Sequence, residues 1–195
     1  MNIITNDVAK FILTGINNVV WLVNSQATLA DALNNAMPNQ TVAMSSDITM
    51  TGNWESIRRG DKTPNFDGRN HVISNMTITT EEDAYVGLFS QISNRVTIQN
   101  VTFRNAKLLI PESVGEHARG GVLVGHAYPI NVYNCHVEGA TIVGCQKLGG
   151  LIGYVEGDAA NSTVTIKDCS VKDVNISSNR TNNYLEHGVG GFIGH

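Results

Sequence analysis

Val96-Thr97-Ile98-Gln99-Asn100-Val101-Thr102-Phe103, Ile130-Asn131-Val132-Tyr133-Asn134-Cys135-His136-Val137 and Val164-Thr165-Ile166-Lys167-Asp168-Cys169-Ser170-Val171 are one phrase written three times. Each copy starts 34 residues after the previous one. Each runs apolar, polar, apolar, polar, Asn or Asp, small apolar, polar, apolar. A period of two sends the apolar side chains to one face of a strand. A fixed period of 34 residues means stacked units, each too thin to bury its own apolar face. The expected fold is all-β, a coil of short strands with each turn about 4.8 Å above the last.

Other segments alternate with this phrase. One series is Val86-Gly87-Leu88-Phe89-Ser90, Gly121-Val122-Leu123-Val124-Gly125, Gly149-Gly150-Leu151-Ile152-Gly153 and Gly190-Gly191-Phe192-Ile193-Gly194. In this alignment Gly87, Gly150 and Gly191 share a corner position and Val122 replaces the glycine. Another strand per unit is visible at Ala140-Thr141-Ile142-Val143 and Val174-Asn175-Ile176-Ser177. Three strands per unit predict three sheets. Insertions fall at 79–85, 111–119, 144–148, 155–163 and 178–188, where polar loops on a rigid frame suit recognition.

Residues 1–24 form an N-terminal β-leaning segment, with Val19-Val20-Trp21-Leu22-Val23 its clearest strand, and residues 25–195 form the repeat domain. A helix is expected over about 28–36. Leu29, Ala32, Leu33 and Ala36 lie on one of its faces. Thr28 is its N-cap and Asp31 sits in its first turn. Such a helix would cap the first open turn.

The chain has 195 residues, 19 of them glycine, and a formal net charge of -4 with 15% charged residues. That balance excludes a clustered basic face for nucleic acid. No stretch is long and apolar enough to span a membrane. Phe11 to Val23 is interrupted by Gly15, Asn17 and Asn18, and no signal peptide is visible. Three cysteines do not make a disulfide framework. Cys135 and Cys169 share a repeat position, so they are expected as neighbours, either as two buried thiols or as a disulfide between turns. No His or Cys spacing suggests a metal, and no cofactor is expected.

Asn75, Asn100, Asn134 and Asp168 are expected to form one structural ladder, hydrogen-bonded turn to turn. Gln91, His126, Tyr154 and His195 each follow a Gly-rich strand. They form a column that either packs a turn or touches a ligand such as a sugar ring. His126 and His195 would lie roughly 9–10 Å apart, too far to share a metal ion. No catalytic residues are assigned. No Ser-His-Asp or Cys-His pattern stands out, and the nearest acid–base grouping is Asp61 and Asp67 with Arg58 or Arg59. The six Asn-x-Ser/Thr triplets follow from composition.

The glycine segments, each paired with an Ile/Val-x-Asn-Cys-x-Val strand, resemble the GLUG-motif repeats of large bacterial surface and secreted proteins. Leu29-Ala30-Asp31-Ala32-Leu33, Phe66-Asp67-Gly68 and His71-Val72-Ile73-Ser74-Asn75-Met76-Thr77-Ile78 fall in the order such proteins show. The resemblance covers roughly residues 25–195. It implies a right-handed parallel β-helix and an extracellular or cell-surface setting, and it supplies no catalytic residues.

Two functions are expected from this. One is a non-catalytic β-solenoid scaffold, an adhesin-like module of a bacterial surface, secreted or phage-related protein, whose loops meet a glycan or a host-surface protein. The alternative is a carbohydrate-binding or polysaccharide-cleaving β-helix. The strand ending at His195 carries no capping element, so the last turn is expected to continue in a longer chain, stack end to end on another copy, or meet a partner.

Overall fold

The alternation of the 96–103 phrase becomes the strand Thr97–Arg104, paired in parallel with Asn131–Glu138 so that Ile98 meets Val132 and Phe103 meets Val137. The computed structural model describes residues 9–12, 19–82, 84–157, 163–181 and 188–195. Parts of three expected insertions, residue 83 and residues 158–162 and 182–187, lie outside the described residues.

Strands and one α-helix make up the described fold, with a short 3-10 segment at Glu112–His117. The strands form four sheets. The first, nine-stranded, holds Val19–Val23, Thr41–Met44, Asn65–Ser74, Thr97–Arg104, Asn131–Glu138, and the pair Thr165–Lys167 and Ser170–Lys172. Ile48–Thr49 joins it beside Asn65–Ser74. Ala9–Ile12 joins it antiparallel to Val19–Val23, and the other pairings in the sheet are parallel.

The second sheet stacks Thr77–Thr79, Lys107–Leu109, Thr141–Gly144 and Asn175–Ser178. The third stacks Tyr85–Val86, Arg119–Gly121, Lys147–Gly149 and Gly188–Gly190. The fourth stacks Ile57–Gly60, Phe89–Ile92, Val124–Ala127 and Ile152–Val155. From residue 65 to residue 155 the chain visits first, second, third and fourth sheets in that order, three times over.

Four sheets replace the three expected, because each Gly-rich segment breaks into two strands. Arg119–Gly121 and Val124–Ala127, for example, belong to different sheets. The glycines let the two sheets touch backbone to backbone. A Cβ on Gly153 would sit 2.6 Å from Gly125 O and 2.7 Å from Gly120 N. The glycine column is also offset from the expected alignment. Gly120 pairs with Val86, which sets Gly121 beside Gly87, and Gly121 pairs with Gly149 and Gly149 with Gly190. Val122 is thus the residue after the column. The first corner is one residue shorter, since Phe89 and Val124 pair directly.

Apolar columns fill the interior. Ile98 and Val132, Phe103 and Val137, Leu108 and Ile142, and Leu123 and Leu151 are all fully buried. Each large side chain so buried contributes about 1.5–3 kcal/mol. The equivalents on the last turn, Ile166, Val171 and Ile176, are only half-buried, and Phe192 is exposed.

The helix spans Gln26–Asn35 and starts two residues earlier than the sequence suggested. Ser25 is the N-cap, and Thr28 sits at the third helical position. There its hydroxyl accepts the Ser25 N–H while Ser25 Oγ accepts the Thr28 N–H. Satisfying two end donors reciprocally beats a cap at Thr28 alone. Asp31 lies beyond the first turn, where its carboxylate accepts Asn35 Nδ2. Leu29, Ala32, Leu33 and Ala36 are buried as expected, and the helix packs on Val19–Val23, Thr41–Met44 and Ile57–Gly60. Val19–Val23 pairs in parallel with Thr41–Met44 in the main sheet.

Candidate functional site

Two polar constructions stand on this frame. The first grows from the column that follows the Gly-rich strands. His126 pairs with Gln91 on one side and Tyr154 on the other, and the rings of Tyr154 and His195 stack at 5.6 Å. The four expected residues therefore do line up. His126 is buried, with Tyr85, Tyr128 and Tyr154 ring centroids 4.9, 5.2 and 5.2 Å away.

Arg119 Nη1 lies 2.8 Å from His126 Nδ1, and Glu156 Oε2 lies 2.9 Å from Nε2. Arginine only donates, so Nδ1 accepts and the imidazole proton sits on Nε2, at ion-pair distance from the carboxylate but out of hydrogen-bond alignment with it. Burial first, and then the Arg119 charge, holds the His126 pKa down to about 4. Burial and a hydrogen bond to Glu156 raise that of Tyr128. Arg119 lies 4.1 Å and Lys147 4.2 Å from the Tyr154 ring centroid. Cations on an aromatic face add about 0.5–2 kcal/mol each. The Tyr154 ring is thus already engaged by the protein's own groups, and the column is a packed cation–aromatic pile.

The second construction is the asparagine ladder. Gln99, Tyr133 and Lys167 pair in register, which places Asn100, Asn134 and Asp168 in one column at the next position. All three have left-handed backbones, with φ of 56°, 49° and 57°. Asn and Asp tolerate this region better than other L-residues. The column therefore turns the chain within each pass.

Asn75 does not belong to it. Ser74 pairs with Arg104, so Asn75 stands beside Asn105, followed by Gly139 and Asp173. Those four form a second left-handed column, with φ of 60°, 55°, 69° and 54°. The cause is extra residues in Asn65–Ser74, where Gln99 pairs with Asp67 but Val101 pairs with His71.

The first column carries a chain of amide bonds. Asn134 Nδ2 donates to Asn100 Oδ1 at 3.0 Å and to Asn70 Oδ1 at 3.0 Å. Asn100 Nδ2 donates to Asp67 Oδ1 at 3.1 Å. Asp168 instead lies 3.9 Å from the Lys167 ammonium. At Asn134 the chain meets a histidine. His136 Nε2 lies 3.0 Å from Asn134 Oδ1, and His136 Nδ1 lies 2.7 Å from Ser170 Oγ. Neither His136 nor Ser170 was singled out from sequence. The signal was present, because they occupy the same polar slot one period apart.

In the nearest acid–base grouping, to which no catalytic role is assigned, Asp67 and Arg59 are engaged apart. Asp67 binds Gln99, Asn100 and the Arg69 N–H, whereas Arg59 donates to Leu33 O and Asn34 O at the end of the helix. Asp61 is exposed in a turn. Cys135 and Cys169 are neighbours, as expected, and both are free thiols. The Cys135 N–H reaches Cys169 Sγ at 3.4 Å. Hydrogen bonding between the two thiols raises the pKa of buried Cys135 and lowers that of Cys169 to about 6.

Among known proteins, the chain is 27% identical over 179 residues to Halomucin of Haloquadratum walsbyi, which covers 85% of this chain and 2% of that protein. The chain thus spans a small fraction of that relative's length. No family model matches it, and no solved structure matches it.

Proposed function

We propose that the chain is a right-handed parallel β-helix of the GLUG-repeat kind. In this reading it is a non-catalytic scaffold module of a surface or secreted, adhesin-like protein, displaying its variable segments for binding. The observation that carries this is the 34-residue register kept by the last three turns of the first two sheets, with Thr97 on Asn131 on Thr165 and Lys107 on Thr141 on Asn175. A frame that repeats so closely fixes where each insertion leaves the body, which is what a display platform needs. Likeness to a short part of a far longer protein, named Halomucin, supports placement within a longer surface protein. No helix among the described residues is long and apolar enough to cross a membrane.

The test is a binding screen of the chain against immobilised glycans and host-surface proteins, with a reducing-end assay run in parallel. Saturable binding that disappears when the 111–118 loop is replaced by a short Gly-Ser linker, with the fold intact, is the expected result. Release of new reducing ends from any polysaccharide overturns the non-catalytic assignment and moves the chain to the carbohydrate-cleaving alternative.

A further inference from the structure

The direction of every bond in the asparagine ladder is fixed by its far end. The Asp67 carboxylate only accepts, so Asn100 must present Nδ2 to it and Oδ1 to Asn134. Asn134 therefore gives both Nδ2 protons to Asn100 and Asn70, and turns Oδ1 toward His136. An amide oxygen only accepts, so His136 carries its proton on Nε2. Its Nδ1 lone pair is then left for the hydroxyl of Ser170, 2.7 Å away. Ser170 is exposed and His136 half-buried. A hydroxyl on an imidazole lone pair, with that imidazole oriented by a third group, is the arrangement that activates a serine nucleophile.

We propose that Ser170, with His136 as its base, is a covalent acyl-acceptor site for neutral carboxylic esters, held in its reactive tautomer by the Asn134–Asn100–Asp67 chain. In the reaction Ser170 Oγ attacks the ester carbonyl carbon and forms a new C–O bond. His136 Nδ1 takes the hydroxyl proton. The bond to the alcohol leaving group breaks, the leaving oxygen keeps the electron pair, and the proton passes from His136 to it or to water. The product is an ester on Ser170.

The flanking charges point to an uncharged ester. Arg104 pairs with Glu138, Lys167 lies 3.9 Å from Asp168, and Lys172 lies 3.8 Å from Asp173. Lys172 also stands in register with Glu138, and Thr102 with His136. These charges balance, leaving no local field to recruit an ion. The open position of Ser170 fits a stoichiometric attachment point on a displayed surface. The proposal does not depend on the scaffold assignment.

The experiment incubates the full chain with p-nitrophenyl acetate, follows p-nitrophenolate release across pH, and locates acetyl groups by peptide mass spectrometry. One acetyl on Ser170 is expected. Ser170→Ala should lose that modification. His136→Gln should slow it by about 100-fold. Asn134→Gly keeps the left-handed backbone but removes the acceptor, and should slow acetylation by roughly 10-fold. Asn134→Asp restores an acceptor and should recover the rate. Circular dichroism confirms that each variant is folded. Acetyl groups on Cys169 or elsewhere with none on Ser170 overturn the proposal. So does a folded Asn134→Gly variant that reacts as fast as the parent, which would make the ladder purely structural.

Discussion

Replacing Gly153 with alanine tests the backbone-to-backbone contact of the third and fourth sheets. The added methyl carbon would lie 2.6 Å from Gly125 O, 2.7 Å from Gly120 N and 2.9 Å from Gly120 C. Ordinary contact begins near 3.4 Å, so the neighbouring strand must retreat by about 0.8 Å. All three obstacles are main-chain atoms in or beside paired strands, which cannot swing aside as a side chain does. Overpacking of this kind costs about 3 kcal/mol. At about 2–4 °C per kcal/mol for a chain of this size, the midpoint should fall by roughly 6–12 °C.

Gly191 is the control, because a Cβ there meets nothing within 4 Å. Alanine at that site should leave stability unchanged or raise it by about 0.5 kcal/mol through the unfolded chain. Urea unfolding of the two variants compares midpoints at constant slope. Equal midpoints for Gly153→Ala and Gly191→Ala would show that the glycines are not there for close approach, and the four-sheet arrangement would lose its physical basis.

Asn105 has φ of 55°, so Asn105→Ala should cost about 1 kcal/mol in urea unfolding while Asn105→Gly stays near the parent. Phe103 is fully buried, and Phe103→Ala should cost about 4 kcal/mol by the same measurement. The His126 pKa is held at about 4 in the folded chain against an ordinary 6.5. The unfolded chain therefore takes its proton first on acidification. The stabilisation is complete above pH 6.5 and is lost as pH falls toward 4, by about 3 kcal/mol in all. His126→Gln should remove most of that slope from a pH series of unfolding midpoints.

The 34-residue period made much of this fold legible, because period fixes register and register fixes neighbours. Asn100, Asn134 and Asp168 fell into one column for that reason. Asn75 fell outside it because the extra residues of Asn65–Ser74 shift the pairing between Asp67 and His71, and an unequal strand hides in a shared pattern. The glycine column was offset by one for a related cause, a first corner one residue shorter than the others. The break of each Gly-rich segment into two sheets depends on approach between backbones, which composition does not record. The His126 column was found by position alone, but its Arg119, Lys147 and Glu156 partners come from neighbouring strands at unequal spacing. His136 and Ser170 passed unnoticed because a nucleophile and its base were sought as a motif along the chain. Here they lie across it, one period apart.

Two columns of left-handed residues, at Asn100-Asn134-Asp168 and Asn105-Gly139-Asp173, bend three successive passes of the first sheet at the same two places. Each pass between Asn100 and Asp168 therefore begins and ends with the same geometry and offers the next pass the same hydrogen-bonding partners. A genetic deletion of residues 101–134 would join Asn100 to Cys135 with phase preserved. A duplication of that block would do the same in the other direction. Such a gene can change the reach of its product by unequal crossing-over, one whole turn at a time, without rewriting either neighbour.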